Sequence, residues 1–138
     1  MTQENKELLL KDLCARLPYG VKVQDEIGRI NKLVIGNADL VRLYYNDFSI
    51  YSEKNLSLPY LFPLSSMTGE QLFEVQEIMG KNEIEIGDGF LYILDSDRNT
   101  ISYLEILALL EWFYKNHFDI NGLIPMGLAI DATGLNIY

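Results

Sequence analysis

The chain predicts an α+β fold, and three observations carry the prediction. Thr68-x-x-Gln71 and Ser102-x-x-Glu105 stand at the heads of apolar periodic runs, a signature of helix starts. Short runs of branched and aromatic residues are bounded by Gly, Asn, Asp and Pro, a signature of strands joined by turns. Length and composition fit a domain with its own core: 138 residues, 49% hydrophobic, 12% aromatic. A chain of this size buries roughly two-thirds of the surface that its unfolded form exposes, which offsets the entropy of ordering. Residues 1–138 therefore read as a single α+β domain, an antiparallel β meander plus a β-hairpin packed with about three helices.

The first helix is expected over Gln3–Arg16, capped by Thr2 and stopped before Pro18. Its apolar face reads as Leu10, Leu13, Cys14 and Leu17, with Leu9 beside them. Glu7 and Lys11 stand four apart in the favourable order, worth roughly 0.2–0.5 kcal/mol. From Tyr19 to Ser52 the pattern turns β-like. Val21 and Val23 alternate with polar residues, and further runs follow at Asn31–Ile35, Leu40–Tyr45 and Phe48–Ser52. Pro59 and Pro63 enclose an extended segment expected at a sheet edge or across the surface.

The second helix is expected over Gly69–Met79, with a Thr68/Gln71 capping box, a Met67/Leu72 staple and Gly80 as its stop. Glu83–Ile86 and Phe90–Leu94 flank Gly87–Asp88–Gly89 and read as a hairpin, Ile84 and Ile86 inward, Glu83 and Glu85 outward. The third helix is expected from Ser102 to about His117. It is apolar on most sides, so it should be central or packed on a partner chain. The tail, 121–138, is rich in Gly and Pro and reads as turns with one short element.

Charge is distributed unevenly. Residues 1–69 carry 8 acidic and 8 basic side chains, whereas 70–138 carry 12 acidic and 3 basic, so the net −9 lies wholly in the second half. Clustered Lys and Arg, which nucleic-acid and anionic-membrane binding require, are missing. The acidic set Glu70, Glu74, Glu77, Glu83, Glu85 and Asp88, continued by Asp95 and Asp97, is the candidate partner-binding surface for a basic protein. The opening residues are too polar for a signal peptide and the apolar runs too short to span a bilayer, so an intracellular, cytoplasmic protein is expected.

Three stretches resemble a family of small uncharacterised proteins of Bacteroidetes genomes and their phages or other mobile elements. They are Leu13–Cys14–Ala15–Arg16–Leu17–Pro18–Tyr19–Gly20–Val21, then Pro59–Tyr60–Leu61–Phe62–Pro63–Leu64–Ser65–Ser66–Met67–Thr68, then His117–Phe118–Asp119 with Gly122–Leu123–Ile124–Pro125–Met126–Gly127–Leu128–Ala129. The chain departs from the pattern at Phe62, where Arg is common, and at Ile120–Asn121, where Tyr–Arg is common. The resemblance implies a bacterial, intracellular protein of prophage or mobile-element origin. It implies no activity and no catalytic residues.

Chemistry-bearing groups are few. One cysteine and one histidine exclude disulfides within the chain and poly-Cys or poly-His metal centres. Asp95, Asp97 and Asn99 alternate like half a calcium loop, but Thr100 and Ile106 stand where Gly and Glu are required, so an acidic turn ahead of a helix is the better reading. His117 near a helix C-terminus would interact well with the dipole when protonated, and a catalytic role would need it positioned against Asp119. Cys14 reads as a small buried hydrophobe, and the Ser65–Ser66–Met67–Thr68 hydroxyls as caps rather than nucleophiles. No catalytic, cofactor-binding or metal residue is assigned. The function expected is a non-enzymatic protein-interaction module, with homo-oligomerisation through the Ser102–His117 helix as one form of it. The alternatives are an acidic decoy that imitates DNA, and a small hydrolase built on His117.

Overall fold

The computed structural model describes residues 2–24, 28–33, 58–80, 83–87, 90–94 and 103–138. Over these the fold is α+β. Helix α1 spans Gln3–Arg16, α2 spans Gly69–Met79 and α3 spans Tyr103–Lys115. Strands β1 (Lys22–Gln24), β2 (Ile30–Lys32), β3 (Leu58–Leu61) and β6 (Ile130–Asp131) form one sheet in the order β2-β1-β3-β6. Strands β4 (Glu83–Gly87) and β5 (Phe90–Leu94) form a separate antiparallel ribbon. Short 3-10 turns at Leu17–Tyr19 and Leu64–Ser66 follow α1 and precede α2. The expected runs Leu40–Tyr45 and Phe48–Ser52, the turn residues Asp88, Asp95, Asp97 and Asn99, and Ser102 lie outside the described residues.

Helix α1 begins where expected, with the Thr2 hydroxyl accepting from Asn5 N–H at 3.1 Å. Its buried face differs from the sequence reading. Leu9, Asp12, Leu13 and Arg16 are buried, and Cys14 is exposed. These four positions are spaced i, i+3, i+4, i+7 and so form one stripe; the stripe was hidden because two of its members are charged. They can be buried because they neutralise each other. Arg16 Nε donates to Asp12 Oδ2 at 2.6 Å and Nη2 to Oδ1 at 3.0 Å.

The sheet is mixed rather than a purely antiparallel meander. β1 pairs antiparallel with β2 and β3, and β3 pairs parallel with β6. β2 begins one residue before the expected run, at Ile30, and its expected residues Val34 and Ile35 lie outside the described residues. The proline segment is not an edge, because β3 lies between β1 and β6. The register shows how proline is tolerated there. Leu61, two residues after Pro59 and so facing the same edge, gives its carbonyl to Ala132 N–H at 2.8 Å on the β6 side. Pairing with β6 starts only at Tyr60, so the N–H that Pro59 lacks falls ahead of that ladder.

Among the described residues, two apolar clusters make up the core. One joins Leu9 and Leu13 of α1 to Val21, Val23, Leu33, Leu61, Leu123 and Leu128. The other joins Val75 and Met79 of α2 to Leu109 and Phe113 of α3, with Leu64 and Phe118, and the inner ribbon residues Ile84, Ile86, Leu91 and Ile93 pack against it. Helix α2 has the expected bounds, and both halves of its capping box are formed: Gln71 N–H to Thr68 Oγ1 at 3.2 Å and Thr68 N–H to Gln71 Oε1 at 2.9 Å. Helix α3 ends at Lys115, two residues before its expected limit. It is not central: Leu109 and Phe113 are buried, whereas Tyr103 is 75% and Leu104 73% exposed.

The two clusters meet where the chain leaves β3. Phe62 N–H donates to His117 O at 2.9 Å and Asp119 N–H to Phe62 O at 2.8 Å. This parallel bridge sets residues 117–119 beside the proline segment and positions the polar groups described next.

Candidate functional site

Of the acidic residues singled out from the sequence, the described ones, Glu70, Glu74, Glu77, Glu83 and Glu85, lie on a helix and a ribbon. Glu70, Glu74 and Glu77 are all exposed, but only Glu70 and Glu77, at i−3 and i+4, share the outer face of α2 with Phe73, which is 64% exposed. An aromatic ring that prominent is unusual between two carboxylates on a helix face turned away from its core. Glu74 also reaches α3, where its Oε2 accepts from Trp112 Nε1 at 2.9 Å. Glu83 and Glu85 point outward from β4 as expected, with Glu85 opposite the exposed Tyr92. On α3, Tyr103, Ile106, Leu107 and Leu110 are all exposed at i, i+3, i+4 and i+7. The helix thus buries one apolar face and presents a second.

A buried polar junction, not foreseen from the sequence, lies where the two cores meet. Arg16 is fully buried. Besides Asp12, its Nη2 donates to Phe118 O at 2.7 Å, and its guanidinium sits 5.0 Å from the Tyr114 ring centroid. Asn121 Nδ2 donates to Asp12 Oδ1 at 2.8 Å, so one carboxylate organises residues from both ends of the chain. Arg16 Nη1 is buried without a hydrogen-bond partner among the described residues, as is His117 Nδ1.

His117 occupies the position just past α3 that glycine usually takes. Phe118 N–H donates to Phe113 O at 3.0 Å and His117 N–H to Tyr114 O at 3.2 Å, the two bonds of a Schellman cap. The cap demands a left-handed residue, and His117 has φ 62°. Holding a side chain there costs roughly 1–2 kcal/mol. The imidazole is stacked on the Tyr138 ring at 3.7 Å between centroids and 13° between planes. Burial, helped by the Arg16 charge, lowers the His117 pKa to about 4. A protonated ring interacting with the helix dipole is thereby disfavoured, and His117 sits as a packed imidazole.

Asp119 does not serve His117. Its two oxygens accept from Leu123 N–H and Ile124 N–H, each at 2.8 Å, and tie down the following turn. The pair adjacent in sequence is thus not assembled as an acid–base dyad. Although Cys14 is exposed, the desolvation its thiol does meet raises its pKa, the opposite of nucleophile activation. Ser66 Oγ donates back to Pro63 O at 2.7 Å within the turn before α2, so of the Ser65–Thr68 hydroxyls the helix cap is supplied by Thr68. Among the described residues no group of three or more His, Cys, Asp or Glu is placed to hold a metal ion, and no helix is long and apolar enough to cross a membrane.

Tyr138 closes the junction. Its hydroxyl accepts from Lys22 N–H at 2.8 Å and donates to Tyr60 O at 2.7 Å. The residue is 43% exposed, but desolvation around its hydroxyl pushes the pKa up to about 12. Comparison with family models, with curated proteins and with solved structures gives no match to this chain.

Proposed function

We propose that this protein is a non-enzymatic interaction module whose helical half receives a basic, amphipathic segment of another protein. The observation that carries the reading is the exposed Phe73 ring flanked on its own helix face by Glu70 and Glu77. An aromatic anchor beside carboxylates suits a partner that brings apolar side chains and Lys or Arg together. The outward stripe of α3 adds apolar area of the same character. A second copy is the poorer occupant, because it would set one acidic half against another. The reading includes the setting that the resemblance implies, a bacterial cell and a mobile-element gene. The DNA-imitating decoy ranks lower because its carboxylates would need one row, and here they divide between a helix and a ribbon.

The test is titration of the intact protein with a synthetic Leu/Lys amphipathic helical peptide and with its Leu/Glu counterpart. The Lys peptide should bind, and its affinity should fall as salt rises. Phe73→Ser combined with Glu70→Gln and Glu77→Gln should weaken it at least tenfold. Equal binding of both peptides, or no effect of the substitutions, would refute the reading.

A further inference from the structure

The position of the Tyr138 hydroxyl between two neighbouring strands has a specific meaning in the β1–β3 ladder. The register pairs Val23 with Pro59 and Gln24 with Leu58, so the next pair is Lys22 with Tyr60. In an antiparallel ladder that pair would close with Lys22 N–H donating to Tyr60 O. Instead the phenol stands between them, accepting from the one and donating to the other. A group that does both at the tip of a flat ring is a tyrosine side chain; phenylalanine has no such atom, and a serine hydroxyl has no ring behind it. The walls fit the ring as well. His117 is stacked against it, and Phe62 is tilted at 57° with centroids 5.8 Å apart.

The segment that delivers this ring is lightly held. Leu135 N–H bonds back to Ala132 O, and Thr133 N–H to Asp131 Oδ1, so both contacts are local to the turn. Asn136 has φ 51°, a left-handed conformation disfavoured for a residue with a side chain. Residues 133–136 are exposed. Among the described residues, the hydrogen bonds that tie residues 136–138 to the rest of the fold are those of the Tyr138 hydroxyl.

We infer that the notch formed by Lys22, Tyr60, Phe62 and His117 is a recognition site for a tyrosine side chain, filled in cis by Tyr138 and open to a tyrosine from outside when the segment 133–138 lifts. The inference is independent of the α2 and α3 surfaces. The cis ring acts as a built-in competitor, so outside ligands bind the intact chain more weakly than a chain that lacks it.

The experiment uses N-acetyl-tyrosinamide and N-acetyl-phenylalaninamide as probes, read by amide NMR shifts of the full chain and of Tyr138→Ala. The tyrosine probe should bind Tyr138→Ala at least tenfold more tightly than the phenylalanine probe, with Lys22 N–H among the shifted resonances. It should bind the intact chain at least tenfold more weakly than the variant. Equal affinity of the two probes, or no shift at Lys22, would overturn the assignment. Should Tyr138→Ala fail to fold, Tyr138→Phe keeps the ring and removes only the bridge. In that variant Lys22 N–H should exchange with solvent at least tenfold faster than in the intact chain, and unchanged exchange would overturn it equally. A tyrosine probe that binds intact chain and variant alike would refute the competitor role. Chemical shifts that depend on protein concentration alone would place a second copy's Tyr138 in the notch, which supports the site and identifies its source.

Discussion

Asp12 and Arg16 are one helical turn apart, both buried, and hydrogen-bonded to each other and to residues 102 to 109 positions away. A buried pair of this kind contributes less to net stability than its removal costs, since breaking it leaves an uncompensated charge. Asp12→Ala should therefore destabilise the fold by about 3–5 kcal/mol, whereas Asp12→Ala with Arg16→Met should cost clearly less than the sum of the single changes. Urea unfolding of the three variants measures both. His117 supplies a second residue-level prediction. Its pKa is about 4 in the fold against 6.5 for an ordinary histidine, so the unfolded chain binds the proton more readily between those values. The stability contribution is fully present above pH 6.5 and is lost as pH falls from 6.5 through 4. His117→Gly, which satisfies the left-handed cap without an imidazole, should show a flatter stability profile over that window. A profile parallel to that of the intact chain would show that the histidine is not the group responsible.

Helix α3 has two different apolar faces, and they should respond differently to substitution. Phe113→Ala empties a site packed by Phe118 and Trp112 and should cost about 3–5 kcal/mol. Leu104→Ser removes an exposed side chain and should change stability by less than about 0.5 kcal/mol. Denaturant midpoints separate the two outcomes. Elements of this scale were legible in the sequence wherever their causes are local. The bounds of α2 follow from Thr68, Gln71 and Gly80, all within or adjacent to the helix, and the β4–β5 ribbon follows from alternation around a glycine turn. The central placement of β3 was not legible, since it depends on β6, some seventy residues later in the chain, supplying a parallel neighbour that starts just past Pro59. Nor was the polar junction, because each of its decisive bonds joins residues 78 to 116 apart: Arg16 to Phe118, Lys22 to Tyr138, Tyr60 to Tyr138. The charged members of α1 even disguised its buried stripe, since a carboxylate and a guanidinium read as solvent-facing until they are seen to satisfy each other. Of the acidic surface, the outward direction of Glu70, Glu77, Glu83 and Glu85 was legible from period and alternation, while the turn of Glu74 towards Trp112 and the division into a helical and a ribbon face required the fold.

For the molecule as a whole, the dominant long-range term is the charge of −9, all of it from residues 70–138. Self-repulsion of that size opposes compaction and weakens when salt shortens its reach. From about 10 mM to about 1 M salt the Debye length falls from roughly 30 Å to roughly 3 Å, so thermal stability should rise across that range. A Tm that falls with salt would indicate that favourable ion pairs outweigh the repulsion. Among the described residues the buried apolar side chains form two clusters, and the chain passes from one to the other at Leu61–Phe62. Its single tryptophan, Trp112, belongs to one of them, lying flat on Phe118 at 5.7 Å and hydrogen-bonded to Glu74. Indole emission is thus a built-in optical reporter of the helical cluster alone. A melt followed at that wavelength, laid over one followed by ellipticity of the whole backbone, reveals whether the sheet lets go together with the helices or separately.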